Sequence, residues 1–256
     1  MKSQSELNWV FILVAGAIIL AFFTGFAFKY KSLQEEKTSI ELLINLDNTL
    51  TNLKTSPYAT FTEIKLPKEI EIECNEIKLN NKNIKVNNLL FSQKKLKNNI
   101  LIYYKPFKLG FKVSDFYFIV SNKININTNN PDYLKKLIEE LPEKIKQKIT
   151  LNQGQGKMIK IDIANKKFNS YPLNEDLIYA FIFSDNFECV YPKIKKELED
   201  AVSVYETKAM IMNKAGCNYS PFLSYLEKIK QFNLDYVKSV DEINLVLSGN
   251  DCPTLY

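Results

Sequence analysis

Two serine motifs have the residue types and spacing that covalent catalysis would need. Ser92 and Lys95 have the S-x-x-K spacing of serine acyl-transfer enzymes, in which a lysine activates the serine hydroxyl as a nucleophile. The tripeptide 184–186 is the S-D-N sequence that accompanies this motif in such enzymes. The third element, K-T-G, is missing from the chain, and Ser92 follows a strand-like run instead of opening a helix. The sequence therefore does not predict an enzyme.

Cofactor and metal chemistry is also poorly supported. The chain has no histidine, which excludes every catalytic triad and every metal site that depends on an imidazole. Its four cysteines include no C-x-x-C pair, so they lack the usual spacing of a zinc site. The sequence G-Q-G-K at 154–157 is followed by Met158 and lacks the spacing of a phosphate-binding loop, so a hairpin loop is predicted there. We expect no cofactor and no metal.

The four cysteines are better explained as disulfides. Cys189 lies before, and Cys217 after, a helix predicted to begin at Pro192. The ends of such a helix are about 35 Å apart, whereas a disulfide requires Cα atoms within about 7 Å, so these two cysteines cannot pair. Two later helices form a hairpin that favours Cys217–Cys252 and leaves Cys74–Cys189. Four reduced thiols in a cytosolic domain remain the alternative.

One lysine-rich stretch stands out against the overall charge. No acidic residue occurs between Glu76 and Asp115, the chain contains no arginine, and its net charge is only +5. Lysines with aromatic residues among them predict a basic surface for anionic headgroups, a polymer or an acidic partner. The alternative is that these lysines only protect sheet edges. The small net charge argues against nucleic acid. The predicted interaction surface comprises Lys94, Lys95, Lys97, Tyr103, Tyr104, Lys105, Phe107, Lys108, Phe111 and Lys112.

The N-terminal segment predicts where in the cell the rest of the chain is located. Trp9–Phe28 is a run of twenty uncharged residues, and about 20 residues at ~1.5 Å each match a hydrocarbon core of ~30 Å. Trp9 at one end, and Tyr30 between Lys29 and Lys31 at the other, have the positions of interfacial residues. A cleaved signal peptide would have a shorter apolar run and a small-x-small site. We therefore expect a retained transmembrane helix over residues 9–28 and interaction with a lipid bilayer.

The helical pattern continues beyond the span. No glycine or proline occurs between Tyr30 and Leu53, and the first stop signal is Pro57. Apolar residues recur at nearly helical spacing at Leu33, Ile40, Leu43, Ile44, Leu46, Leu50 and Leu53. An amphipathic stalk is therefore predicted over residues 29–56, in one helix of about 45 residues with the span. The apolar stripe must pack against the chain's own head or against neighbouring copies.

Residues 57–256 are predicted to form one globular α+β head. Its first half contains strand-like runs at 61–66, 69–74, 76–79, 84–91, 100–104, 112–120 and 177–183. We expect a turn at 98–99, a helix over 132–140, and a hairpin between strands 149–151 and 158–163. The second half is helical, with helices beginning at Pro192, at Ser220-Pro221 and near Asp235.

The first 55 residues resemble type IV pilins and pseudopilins, in which one apolar helix is extended by an amphipathic half and followed by a β-rich head. Residues 1–8 are leader-like. Met1-Lys2-Ser3 before Gln4 is similar to a short archaeal class III leader, which implies cleavage between Ser3 and Gln4. The chain as a whole also resembles single-span membrane proteins of small-genome archaea, which end in Cys-Pro-x-Leu-Tyr as this chain does at 252–256.

Two features give opposite indications about the side of the membrane. Lys29, Lys31 and Lys37 follow the span, and the positive-inside rule would place the head in the cytoplasm. The cysteines and the pilin resemblance imply the exterior instead. We expect a single-pass cell-membrane protein with an extracytoplasmic head, acting as a pilin-like subunit that assembles through its N-terminal helix or binds another protein. The alternative is a monomeric binding module that uses the lysine surface. On an exterior head, Asn218-Tyr219-Ser220 would be a glycan acceptor.

Overall fold

A computed structural model shows an α+β protein with a long N-terminal helix, a β-sheet region and C-terminal helices. The predicted fold class is therefore confirmed. The structure describes residues 2–74, 76–79, 82–213, 217–250 and 252–256, except for the side chains of residues 2–8. The chain divides into two compact units, Met1–Thr49 and Leu50–Tyr256.

Helix α1 (Lys2–Lys54) is 53 residues long and unbroken, as the absence of helix breakers in the stalk predicts. It ends three residues before Pro57, close to the predicted stop. Most of α1 forms the first unit, and its last turn belongs to the second. Met1 lies outside the described residues, so cleavage between Ser3 and Gln4 stays a prediction.

The second unit is built around a six-stranded sheet with the order β3-β2-β1-β5-β6-β4. Its pairs are antiparallel except for β4 and β6, which are parallel. Two predicted strands, 61–66 and 69–74, form the single strand β1, whereas the predicted run 84–91 is divided between β3 and β4. The strands are β1 (Thr60–Glu73), β2 (Glu76–Leu79), β3 (Lys82–Lys85), β4 (Leu89–Ser92), β5 (Lys95–Leu109) and β6 (Phe111–Val120).

The turn predicted at Asn98-Asn99 is wrong, because both residues lie inside β5. The pairing of β1 with β5 changes register between Leu66 and Ile70, and Asn98 has a φ of 61° at this irregularity. Pro67 lies in the same bulged segment, where its lack of an N–H does not interrupt the ladder. Asparagine tolerates left-handed backbone, so its turn-like chemistry is used in a bulge.

The predicted hairpin is wrong, because its two strands belong to a small parallel sheet and do not pair with each other. β7 (Ile124–Thr128) lies between β8 (Ile149–Leu151) and β9 (Lys157–Ile159) and is parallel to both. The loop 152–156 therefore crosses over β7 instead of turning back on β8. Asn127 Nδ2 donates to the Gly154 carbonyl at 3.1 Å, and a Cβ on Gly156 would lie 2.3 Å from the Asn125 carbonyl oxygen. Only glycine fits where the loop contacts the strand.

The predicted strand at 177–183 is also wrong, since α4 (Glu175–Phe183) is a helix. Asn174 caps it by accepting a hydrogen bond from the Leu177 N–H, and the acidic Glu175 and Asp176 occupy its first turn. These are start signals for a helix, whereas a short buried apolar run does not distinguish a helix from a strand.

The remaining elements complete the second unit. The helix expected to begin at Pro192 begins five residues earlier, so this proline lies inside it. The helix that begins at Ser220 is confirmed, and the last helix follows a short 3-10 turn at Leu234–Tyr236. These elements are α2 (Pro131–Glu139), α3 (Glu143–Lys146), β10 (Ile161–Asp162), β11 (Lys167–Phe168), β12 (Tyr171–Pro172), α5 (Phe187–Asn213), α6 (Ser220–Lys230) and α7 (Val237–Gly249).

The core of the second unit lies between the large sheet and helices α4 and α5. Phe118 on β6 contacts Phe183 of α4, with ring centroids 5.4 Å apart, and stacks on Phe91 of β4. On β6, the neighbouring Tyr117 donates its hydroxyl to the Leu50 carbonyl in the last turn of α1, at 3.0 Å. The end of α1 is thus hydrogen-bonded to the sheet within the second unit.

Candidate functional site

The segment Trp9–Phe28 of α1 is the first candidate site. Its most apolar window has a mean hydropathy of 2.6, and none of that window is buried. An unbroken helix satisfies its own backbone hydrogen bonds, as a bilayer requires, and Thr24 donates its hydroxyl to the Leu20 carbonyl at 2.7 Å. By length and composition this helix is able to cross a membrane, as an anchor or as a signal sequence.

The residues predicted to lie at the membrane surface bracket this segment. Trp9 is the first residue of the run and is 71% exposed, and Tyr30 follows the run and is 62% exposed. Tyr30 stacks on Phe26 with ring centroids 6.5 Å apart. Lys29 and Lys31 on either side of Tyr30 are exposed as well. Amphipathic rings and long cationic side chains in these positions suit the headgroup region.

Two disulfides tie the second unit together. Cys74, just after β1, pairs with Cys189 near the start of α5, and Cys217 pairs with Cys252. This is the pairing that the sequence analysis favours. Lys193 donates to the Cys74 carbonyl at 2.9 Å, which reinforces the link between the sheet and α5. Two disulfides in one domain suggest an oxidising compartment, and therefore an extracytoplasmic protein.

The predicted interaction surface does not have the aromatic residues that defined it. Tyr104, Phe107 and Phe111 expose 1% or less of their area, and Tyr103 is buried too. Phe107 stacks on Phe116 in the core, with ring centroids 4.6 Å apart. The prediction is wrong for these four residues because the faces of β5 and β6 are covered, so the aromatic side chains of both strands enter the core.

Four of the six lysines in that surface are paired with carboxylates, and three of these carboxylates are distant in sequence. Lys94 lies 3.7 Å from Glu73, and Lys95 lies 3.2 Å from Glu71. These glutamates belong to β1, which pairs with β5 and so brings its acidic face to the lysines. Among the other lysines of the surface, Lys105 pairs with Asp176, Lys112 pairs with Asp115, and Lys97 and Lys108 are exposed. The stretch that is purely basic in sequence is therefore mixed in charge in space.

The two serine motifs meet, but not as a catalytic site. Ser92 is buried at the end of β4, and its carbonyl accepts a hydrogen bond from the Asp185 N–H at 3.0 Å. Asp185 in turn accepts from the Lys94 N–H at 2.9 Å. Lys95, the base that the S-x-x-K reading requires, is directed to Glu71 instead. These contacts connect backbone segments and do not activate the serine hydroxyl.

Lys157 is a partly buried cation whose sequence context predicted only a loop. Its Nζ donates to the Ser184 carbonyl at 2.7 Å and to the Ile182 carbonyl at 3.0 Å, and it lies 3.0 Å from Asp185. Burial lowers the pKa of the Lys157 ammonium, and Asp185 opposes that change. A cation on the last carbonyls of α4 complements the helix dipole. Lys157 therefore joins β9 to the end of α4.

A cleft of about 400 Å³ lies beside this contact, lined by Lys157, Ser184, Asp185, Glu188 and Cys189 among others. The three donors of the Lys157 ammonium all have acceptors in the structure. The cleft thus contains a charged pair that is already satisfied, which is the arrangement of a structural contact and not of a reactive lysine.

A second buried ion pair joins α4 to the sheet. Lys105 on β5 pairs with Asp176 in the first turn of α4 and lies 5.1 Å from the centre of the Tyr179 ring. Burial raises the pKa of the Asp176 carboxyl, and Lys105 opposes the rise. Burial also raises the pKa of Tyr103 to about 12. Lys105 directly follows the buried run Ile100–Tyr104 of β5, but its partner could not be read from the sequence.

Asp115 is at the centre of a third group of charged contacts, which joins α1, β5 and β6. Its carboxylate accepts the Tyr104 hydroxyl at 2.7 Å and lies 2.7 Å from Lys112 and 3.6 Å from Lys54. Lys54 is in the last turn of α1, so this aspartate holds the end of the helix against β6. Burial and Asp115 together raise the pKa of the Tyr104 phenol above its ordinary value.

Comparison with known proteins finds no match for this chain among protein-family models, curated proteins or solved structures. Within the described part of the chain, no three cysteine, aspartate or glutamate side chains come together as metal ligands. The features to be explained are thus a helix able to cross a membrane, a disulfide-tied head and charged side chains that join its elements.

Proposed function

We propose that this protein is a single-pass, extracytoplasmic structural subunit that associates with copies of itself through α1, in the manner of a pilin-like protein, and that it is not an enzyme. Its head is displayed outside the membrane and its helix provides both the anchor and the contact between subunits. One observation supports this most directly: α1 has an exposed apolar line that continues from the membrane span into the stalk.

This line follows from helix geometry. At about 100° per residue, Phe22, Phe26, Leu33, Ile40 and Ile44 all lie within about 40° of one another around the helix axis. Each of these side chains is between 42% and 71% exposed. In the bilayer, lipid covers the first two. Leu33, Ile40 and Ile44 follow the span and face water unless another surface covers them.

A second copy of the same helix is the occupant that suits this line. Two chains anchored by the same span are held at the same depth in the membrane. The exposed apolar lines of the two helices are therefore in register and can pack without a shift along the helix axis. Covering a Leu or Ile side chain that is half exposed contributes about 0.7–1.5 kcal/mol. Three such side chains on each of two copies would stabilise a parallel pair, because the bilayer has already fixed the orientation of the helices.

The alternative of a monomeric binding module has lost much of its support. It depended on a basic surface with aromatic edges, but Tyr104, Phe107 and Phe111 are buried. Lys94 and Lys95 are paired with glutamates of β1. The hypothesis of serine acyl transfer also loses support, because Lys95 of the S-x-x-K motif pairs with Glu71.

The test is amine cross-linking of the full-length protein in its own membranes. Ile40→Asp combined with Ile44→Asp places two charges on the exposed line. Thr38→Asp combined with Asn45→Asp adds the same charge to exposed positions about 120–140° away around the helix. We expect the first variant to weaken association on the order of a hundredfold and the control to assemble normally. A wild-type protein that stays monomeric would contradict the proposal.

Leader processing is tested separately by the intact mass of the purified protein. A chain that begins at Gln4 supports the pilin-like assignment. A chain that retains Met1 or Lys2 contradicts leader cleavage, while the cross-linking result still decides whether copies associate through α1.

A further inference from the structure

The connection between α5 and α6 contains a sequence with a specific modification chemistry. Of the 27 asparagines in the chain, Asn218 is the only one followed two positions later by serine or threonine, with a residue other than proline between them. Asn-x-Ser/Thr is the acceptor sequence for N-linked glycosylation in exported proteins. The sequence motif alone is common, so its setting in the structure has to decide whether it can be used.

The structure exposes the acceptor asparagine and the serine that the transferase recognises, and it anchors the residue between them. Asn218 and Ser220 are exposed, whereas Tyr219 is fully buried. The Tyr219 hydroxyl donates to the Pro253 carbonyl at 2.6 Å, and its N–H donates to Asn213 Oδ1 at 3.0 Å. With its central residue held in this way, the tripeptide directs its amide and its hydroxyl to solvent on a supported loop.

The Asn218 amide is also held in a defined orientation. Its Oδ1 accepts a hydrogen bond from the Ser220 N–H at 3.1 Å. The amide nitrogen Nδ2, which is the atom that would be glycosylated, is on the other arm of the same side chain. A hydrogen bond to the amide oxygen withdraws electron density from the group and makes the Nδ2 proton easier to remove.

We propose that Asn218 is an N-glycosylation site that receives a glycan from a lipid-linked oligosaccharide phosphate on the outer side of the membrane. A bond forms between Nδ2 and the anomeric carbon of the first sugar, and the bond between that carbon and the phosphate oxygen breaks. Nδ2 loses one proton, the lipid phosphate is the leaving group, and no oxidant or reductant is needed. A membrane-bound transferase of the cell catalyses the step.

This inference rests on the extracytoplasmic head of the proposed function, because the donor and the transferase act on that side. The experiment is peptide and intact mass spectrometry of the full-length protein from its own membranes, without reduction. Ser220→Ala removes the hydroxyl that the transferase reads but leaves Asn218 in place, and Ser220→Thr is the matched control that restores it. Asn218→Gln removes the acceptor itself.

We expect sugar mass on the Asn218 peptide of the wild type and of Ser220→Thr, and none on Ser220→Ala or Asn218→Gln. A bare Asn218 in a protein that contains both disulfides would overturn the glycosylation site alone, because the disulfides report the exported compartment independently. A bare Asn218 together with four free thiols would overturn the extracytoplasmic location and the site with it.

Discussion

Removing the two disulfides one at a time should destabilise the head by different amounts. In each case both cysteines are replaced by alanine, so that no unpaired thiol remains: Cys74→Ala with Cys189→Ala, and Cys217→Ala with Cys252→Ala. Cys74 has a φ of 50°, but alanine keeps the Cβ that makes this conformation strained. The backbone strain at that position is therefore the same in the variant and the wild type.

The magnitude follows from the length of chain that each disulfide closes. The Cys217–Cys252 bond joins residues 35 positions apart, and the Cys74–Cys189 bond joins residues 115 positions apart. The loss of loop entropy from the unfolded chain gives about 3.8 kcal/mol for the first and about 4.8 kcal/mol for the second. In a domain of this size about 1 kcal/mol shifts Tm by 2–4 °C, so Tm should fall by about 8–15 °C and about 10–19 °C.

The assay is thermal unfolding of the full-length protein in detergent, followed by near-ultraviolet circular dichroism, with and without a reductant. Reductant should lower the Tm of the wild type and should have no effect on a variant that lacks all four cysteines. The entropic argument is refuted if the variant without Cys74–Cys189 is as stable as, or more stable than, the variant without Cys217–Cys252. It is also refuted if neither variant differs from the wild type.

Three other perturbations have directions that the structure determines. Gly156→Ala should destabilise the head by about 1–3 kcal/mol in chemical denaturation, because the new Cβ would lie 2.3 Å from a backbone oxygen; an unchanged midpoint would show that the crossing loop moves freely. Lys157→Met should cost about 1–3 kcal/mol because it removes the donor of two carbonyls and the ion-pair partner of Asp185, which keeps its hydrogen bond from the Lys94 N–H, and adding Asp185→Asn should recover part of that loss. Burial raises the pKa of Tyr103 and of Tyr191 to about 12, above the value of about 10 in the unfolded chain, so the contribution of these two tyrosines to the free energy of unfolding should be constant well below pH 10 and fall between pH 10 and 12, measured by urea titration at each pH.

Helices α1 and α6 were predictable from local sequence, whereas the segment of α4 was predicted as a strand. For α1, an apolar run of membrane length is followed by a stalk without helix breakers up to Pro57, and local sequence is sufficient to decide the outcome. For α6, Ser220-Pro221 is a local start signal that the structure retains. These signals depend on neighbours in the chain, so they do not require knowledge of which elements pack together.

Strand pairing was less predictable because it depends on distant partners. The segments 149–151 and 157–159 are separated by a glycine-rich loop, which is the usual pattern of a hairpin. In the structure β7 lies between them and pairs with both, and the loop passes over it. Whether a third strand occupies that position cannot be judged from the loop and its two flanking strands.

The candidate interaction surface was wrong for a related reason. Charge was counted along the chain, where no acidic residue interrupts the lysines between Glu76 and Asp115. The structure places Glu71 and Glu73 of β1 beside Lys95 and Lys94, across a strand pair. The alternating Glu-Ile-Glu pattern was correctly assigned to a strand, but the acidic face could not be related to the lysines without the order of strands in the sheet.

The contrast between the head and α1 is the strongest physical reason to place the function in the helix. In the head, the polar groups that first suggested chemistry already have partners: Lys157 binds Asp185 and two carbonyls, and Lys105 binds Asp176. Along α1, Leu43, Leu46 and Leu50 are buried, but the line that contains Leu33, Ile40 and Ile44 is exposed. Water disfavours such a surface, and a bilayer can cover only the part within its own thickness. Leu33 and Ile40 lie beyond Phe28, so a bilayer that covers the span leaves them in water, and this exposure is the reason for proposing that an identical helix covers them.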